Sequence, residues 1–247
     1  MRIIYHHQIE STNTLSLELA RQGAEPGTVV WAGRQRRGRG QYEREFASPP
    51  GGLYFSLLLA PDLPQARLSM VTLAAGLGCA LAVDAFCGLS VRLKWPNDLY
   101  VGGKKLGGIL TEAVPDRQND PLRVVVGVGI NVNSRPDDFP PSLADRLTSV
   151  RTKTGKTFSL SHLLERCCHA IINQVGQLKE EPDKFLANWD SRDYCKGRLL
   201  RWQCGDDIVT GVGRGIMADG RYSLAEKNGC GHAVLAGTLQ PLLNGTK

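Results

Sequence analysis

Between residues 33 and 46, five arginines (Arg34, Arg36, Arg37, Arg39 and Arg44) are interleaved with Gly33, Gly38 and Gly40. Glycine lets a backbone N–H approach a ligand closely, and guanidinium groups match phosphate oxygens, so the segment suits anions. A solvated basic loop or a nucleic-acid patch has the same composition, although only Tyr42 and Phe46 are present to stack on bases. Lys94-Trp95-Pro96-Asn97-Asp98 sets an ammonium, an amide and a carboxylate on a turn stiffened by proline. Such a turn can address phosphate, base and metal together, or simply be a surface turn around a structural Trp. Lys104 and Lys105 stand between the pairs Gly102-Gly103 and Gly107-Gly108. The first pair suits a hairpin; the second, inside a strand, points to something packed close to the backbone. Gly127-Val128-Gly129-Ile130-Asn131 repeats that signal, without the third glycine and following helix of a dinucleotide fingerprint. Residues 154–157 end like a phosphate-binding loop, but Val150 stands where that loop needs its first glycine.

His6, His7, His162, His169 and His232 have no metal-ligand spacing with acids or cysteines, and no GxSxG elbow offers a nucleophile. The chain thus carries phosphate-positioning groups and no evident covalent catalyst. That combination favours activation or transfer chemistry by positioning and charge neutralisation.

These groups need a scaffold. Ser11-Thr12-Asn13 is good N-cap chemistry for a helix over 14–22. Strands are expected at 28–32, 53–59 and 91–94, with 33–45 a loop and 48–52 a turn. Residues 68–86 read as a core helix, 99–101 and 105–112 as a hairpin, and the β-branched run 123–132 as a central strand. Helices follow at 159–178 and 182–190. Beyond about residue 194 the texture changes to short β segments at 198–202, 208–214, 221–225 and 233–239, separated by turns such as Asp219-Gly220 and Asn228-Gly229. The expected architecture is α/β (α+β). A mixed, largely antiparallel sheet with packed helices occupies 1–193, and a small SH3-like barrel occupies 194–247.

At 247 residues, 42% hydrophobic and 22% charged, the chain can bury a core without disulfides and is neither disordered nor fibrous. Seven cysteines, an odd number with no CxxC pair, read as buried free thiols of a cytoplasmic protein rather than a disulfide framework or a zinc site. No signal peptide or membrane span is expected; the longest uncharged stretch, 68–83, is short and rich in small residues. The net charge of +6 allows an anionic partner without choosing one.

Taken in order along the chain, these segments resemble the bacterial biotin protein ligases. Ser11-Thr12-Asn13, Gln35 followed by Gly38-Arg39-Gly40, residues 48–54 (SPPGGLY), 94–98 (KWPND), 104–110 (KKLGGIL) and 127–131 (GVGIN) carry the resemblance over essentially the whole chain. It implies a class II synthetase-like catalytic domain that joins biotin to ATP as biotinyl-adenylate. The biotin then passes to a lysine of a biotin carboxyl carrier protein, with magnesium on the phosphates. Residue by residue, it implies that Ser11, Thr12, Asn13 and Gln35 attend the ureido ring. Gly38, Gly108, Gly127 and Gly129 let biotin lie on the backbone, and Arg39 with Gly40 closes the loop over it. Lys105 lies against the reacting carboxylate and phosphate, and Gln41, Arg44, Phe46, Lys94, Asn97 and Asn131 attend the nucleotide. Magnesium has no dedicated protein ligands, Asp98 being the one candidate; Asp98 otherwise orients the incoming lysine.

The chain departs from the family pattern GlyArgGlyArgArgGlyArg-x-Trp at 38–46, where Gln41 replaces the second arginine, Glu43 a glycine and Phe46 the Trp. A cation missing at Gln41 implies a more loosely held adenylate, unless Arg34, Arg36 or Arg37 compensates. Ser11 comes too early for the operator-binding winged helix of some relatives, so no DNA partner is expected and the basic charge serves ATP and an acidic carrier. A homodimer is left open. The nearest rival is a lipoate ligase of the same adenylation type, separable by which acid raises the melting temperature with ATP. A nucleic-acid-binding module would instead show steeply salt-dependent binding.

Overall fold

The computed structural model describes residues 1–64, 67–114, 123–227 and 229–242. The seven-stranded main sheet comprises β1 (Arg2–His6), β2 (Thr28–Ala32), β3 (Leu53–Leu59), β4 (Arg92–Lys94), β5 (Asp98–Val101), β6 (Lys104–Ala113) and β7 (Val124–Ile130), in spatial order β1-β2-β3-β7-β6-β5-β4. Only β1 and β2 run parallel; every other ladder is antiparallel. This is the mixed, largely antiparallel sheet that the sequence implies. Strand β1 was not foreseen; residues 2–6 alternate weakly and pair only at the sheet edge.

Strands β3 and β7 are buried along their whole length, as their continuous apolar runs demand when both sheet faces are covered. One face carries α2 (Leu68–Cys87), backed by α5 (Leu160–Glu180). Helix α2 is long and apolar enough to cross a membrane by composition, but here it is the mostly buried centre of the core. Each buried Leu, Val or Phe contributes about 1.5–3 kcal/mol, so this layer supplies much of the stability. The opposite face receives α1 (Thr12–Arg21), capped by Ser11, whose Oγ accepts Thr14 N–H. Two short helices, α3 (Pro141–Ala144) and α4 (Val150–Thr154), fill the stretch before α5, and α6 (Pro182–Asp190) follows it. Residues 154–157 are thereby explained: Gly155 is the left-handed cap of α4, with φ 72°.

The C-terminal strands β8 (Leu199–Cys204), β9 (Asp207–Ile216), β10 (Tyr222–Ala225), β11 (Gly231–Val234) and β12 (Thr238–Pro241) form a five-stranded antiparallel sheet in the order β11-β10-β9-β8-β12. The single strand expected at 233–239 is two strands at opposite edges, divided near Gly237, whose φ is 105°. Among the described residues no ladder joins β11 to β12, so the expected closed barrel is an open sheet. Asn228 of the expected Asn228-Gly229 turn lies outside the described residues. No cysteine is in a disulfide, and Cys79, Cys87, Cys167, Cys168 and Cys195 are buried; Cys204 is half-buried and Cys230 exposed, against the expectation for those two. Burial pushes the Cys87 thiol up to about 11 and those of Cys168 and Cys195 to about 12, so these sulfurs stay protonated and unreactive.

Candidate active site

One cavity opens on the α1 side of the main sheet, where the first turn of α1, the 33–46 loop, the 94–98 turn, β6 and β7 converge. Ser11, Thr12, Asn13, Gln35, Arg39, Gly40, Gln41, Arg44 and Phe46 all line it, joined by Lys94, Asn97, Asp98, Lys105, Gly108, Gly127 and Gly129. Residues scattered over more than a hundred positions of sequence are therefore one site. Two expected residues do not line it. Gly38 lines an adjoining groove, and a Cβ there would lie 2.3 Å from Phe46 O and 2.6 Å from Ser48 Oγ. Asn131 is buried behind Lys105; its Nδ2 donates to Thr148 O at 3.0 Å, and its Oδ1 has no hydrogen-bond partner among the described residues.

A polar network forms the floor. Gln35 Oε1 accepts Thr12 N–H at 2.8 Å and the Thr12 hydroxyl at 3.1 Å, while Gln35 Nε2 donates to Ser48 Oγ at 2.9 Å. Ser56 on β3 lies within 2.8 Å of Thr12 Oγ1 and donates to Asn13 Oδ1 at 2.6 Å. Asn13 Nδ2 donates to Leu110 O and, at 2.8 Å, to Glu112 Oε2. The Asn13 amide thus lines the cavity while tying the floor to β3 and β6. Gly127 makes this possible: a Cβ there would sit 2.0 Å from Asn13 Oδ1. At Gly129 a Cβ would meet the Phe46 ring at 2.5 Å, so Phe46 lies directly on the β7 backbone, edge-on to Tyr54. The strand glycines noted in the sequence exist for these two close approaches.

Charge is concentrated at the mouth. Lys105 Nζ is 2.5 Å from Asp98 Oδ1, both half-buried. Among the described residues Asp98 Oδ2 takes no hydrogen bond from the protein. Arg39 pairs with Glu112, Nη2 to Oε1 at 2.9 Å. Arg44 and Lys94 lie 6.0 Å and 5.3 Å from the ring centres of Tyr42 and Tyr100, with no carboxylate partner among the side chains described. Arg36 and Arg37 are turned to Glu10. The wall therefore presents two cations with no carboxylate partner among the side chains described, Arg44 exposed and Lys94 half-buried, and two that are already paired.

Several lining residues escaped the sequence reading. Tyr42 adopts φ 56°, a conformation uncommon for a non-glycine residue, and its Oη accepts Gly237 N–H at 2.7 Å. Thr238 and Leu239 of β12 complete the rim, so the C-terminal sheet is a wall of the site. Trp95 Nε1 donates to Gly220 O at 3.1 Å, fastening the 94–98 turn to the same sheet; the Trp95–Pro96 peptide is cis. Nothing local in the sequence marks these pairings. Glu112 and Ser56 do leave a signal. Ser56 is the one polar residue in the 53–59 run, and strand alternation puts Glu112 on the face of Gly108 and Leu110.

Comparison with known proteins agrees with this geometry. Residues 5–131 match the biotin/lipoate A/B protein ligase family. The bifunctional ligase/repressor BirA of Bacillus subtilis is 38% identical over 232 residues, covering 92% of this chain and 70% of that one. The biotin--[acetyl-CoA-carboxylase] ligase of Paracoccus denitrificans is 35% identical, covering 87% and 90%. A solved biotin protein ligase from Aquifex aeolicus in complex with biotin and ATP superimposes with a TM-score of 0.85 at 30% identity, covering 97% of each chain. The matched stretch holds every residue that lines the cavity except Thr238 and Leu239, and the chain belongs to the biotin/lipoate A/B protein ligase family, among its biotin ligases.

Proposed function

We propose that the chain is an ATP-dependent biotin ligase: it activates biotin as biotinyl-5'-adenylate and transfers it to a lysine of a biotin carboxyl carrier protein. The observation that carries this reading is Lys105, held by Asp98 at 2.5 Å inside a cavity whose wall also presents Arg44 and Lys94. Two anions, a carboxylate and a triphosphate, repel each other in water, and a cation between them is what their reaction needs. In the first step a biotin carboxylate oxygen bonds to the α-phosphorus as the bond to the pyrophosphate oxygen breaks. In the second, the carrier amine attacks the anhydride carbonyl, loses a proton and expels AMP. Lys105 neutralises the carboxylate–phosphate pair, Arg44 and Lys94 draw in the nucleotide, and Gln35, Thr12 and Ser11 face the biotin ring.

Magnesium comes as substrate, on the ATP phosphates. The residues present fit a single contact, Asp98 Oδ2, since no cluster of three His, Cys, Asp or Glu side chains exists among the described residues to cage the ion. When bound, the ion shields phosphate charge. Asp98 also orients the incoming amine. The C-terminal residues 194–247 are read as a second unit, carried by the open five-stranded sheet, and the enzyme as cytoplasmic. Biotin-dependent exchange of pyrophosphate into ATP tests the reading: the chain supports exchange with biotin, and Lys105→Ala does not. Exchange with lipoate in place of biotin would transfer the reading to the lipoate branch.

A further inference from the structure

Lys94 has a carboxylate directly across the β4–β5 ladder and does not pair with it. That partner, Asp98, turns to Lys105 instead. The Lys94 ammonium stands over the ring of Tyr100, two residues further along β5 and 5.3 Å from it at the ring centre. Tyr100 itself does not line the cavity, whereas Lys94 does. Behind it the Tyr100 ring is stacked on Tyr194, with centres 4.8 Å apart and planes inclined by 27°. The Arg198 guanidinium lies 4.2 Å from the centre of the Tyr194 ring, so it and Tyr100 must occupy opposite faces. The order is ammonium, ring, ring, guanidinium. Backbone bonds place the second ring: Tyr194 N–H donates to Leu93 O at 2.8 Å, and Leu93 N–H donates to Arg192 O at 2.8 Å. The stack is therefore built on β4, the strand that carries Lys94.

A ring holds a cation differently from a carboxylate. It attracts through its quadrupole and brings no net charge, so the ammonium is oriented and keeps its full positive charge. Lys105 and Arg39 are oriented by Asp98 and Glu112, which also balance them. Burial pushes the Tyr100 hydroxyl up to about 12, so the ring is uncharged at neutral pH. We propose that Tyr100, backed by Tyr194, is a positioning residue of adenylation, holding the Lys94 ammonium at the cavity wall as an unneutralised charge for the nucleotide's phosphates. The kinetic consequence rests on the ligase reading; the stack does not.

The test changes the ring's charge distribution without changing its shape. Tyr100→Phe keeps the π face, and a trifluorinated phenylalanine at the same position drains it. In pyrophosphate exchange, Tyr100→Phe is expected to leave KM for ATP within about twofold of the parent. The fluorinated ring is expected to raise it about fivefold, with KM for biotin and the melting temperature unchanged. In a Lys94→Ala background the fluorinated ring should add nothing further, because it acts through that ammonium. In the protein alone, lysines methylated with 13C-formaldehyde report the stack by NMR. The Lys94 signal, assigned by its loss in Lys94→Arg, is expected upfield of the other lysines and back among them in Tyr100→Leu. An unshifted Lys94 signal overturns the stack. A fluorinated variant with the KM for ATP of Tyr100→Phe overturns the positioning role. A shifted signal in a chain without biotin-dependent exchange removes the ligase reading, and the positioning role with it, while the stack stands.

Discussion

Lys105 and Asp98 sit on neighbouring strands with their charges 2.5 Å apart, so neither acts alone. Removing the ammonium by Lys105→Ala leaves two substrate anions facing a carboxylate; adenylate formation should fall by about 10²–10³-fold, measured in single-turnover quench experiments. Asp98→Asn should slow transfer to the carrier amine more than adenylation; an unchanged transfer step would remove that role. At Gln41 the chain lines the cavity with a neutral amide, where the family resemblance implies a cation. Gln41→Arg should slow release of free biotinyl-adenylate, followed by filter separation of the labelled intermediate, and an unchanged release rate would show that the residue does not hold it. At Gly127 even one methyl group collides with Asn13. Gly127→Ala should displace Asn13 from Ser56 and Glu112 and cost about 1–3 kcal/mol of stability in urea unfolding, with weakened biotin binding.

At the scale of elements, the strands that carry the chemistry were the most legible. The runs at 28–32 and 53–59 match β2 and β3 residue for residue, because continuous β-branched and apolar residues have few alternatives once both faces are buried. The glycines of β7 were readable as close approaches, but not what approaches them; the partners, Asn13 and Phe46, come from α1 and a loop far away in sequence. Ser11–Asn13 was legible as a cap, and the structure shows that the capped turn is also the cavity floor. Edge strand β1 and the division of 233–239 were not legible, since edge strands carry half the pairing signal and a glycine such as Gly237 marks a turn only once its φ is known. Tyr42 was missed for the same reason: its left-handed backbone and its bond to Gly237 are long-range facts with no local pattern.

For the molecule as a whole, the C-terminal sheet is fastened where the chemistry is. Trp95 from the 94–98 turn bonds to Gly220 and packs against Tyr222, whose hydroxyl donates to Asp193 Oδ2 at 2.7 Å. Burial holds the Asp193 carboxyl above the usual carboxylate range, partly relieved by Tyr222 and by Cys195 N–H. A raised folded-state pKa means that the folded chain binds the proton more readily than the unfolded chain. Stability on this account falls as pH rises from the ordinary carboxylate range through the raised value. Tyr222→Phe removes a bond that favours the ionised form. It should cost about 1–3 kcal/mol at neutral pH and less once Asp193 is protonated, read from urea melts at both conditions; a loss that is the same at both would contradict this account.

The central claim is that one cavity joins biotin to ATP and hands it on. Its most direct test is intact mass spectrometry of an apo biotin carrier domain incubated with the chain, biotin and magnesium ATP. One biotin on the target lysine, absent with Lys105→Ala, is the predicted result. A carrier left unmodified by biotin while lipoate is attached to a lipoyl domain would contradict it.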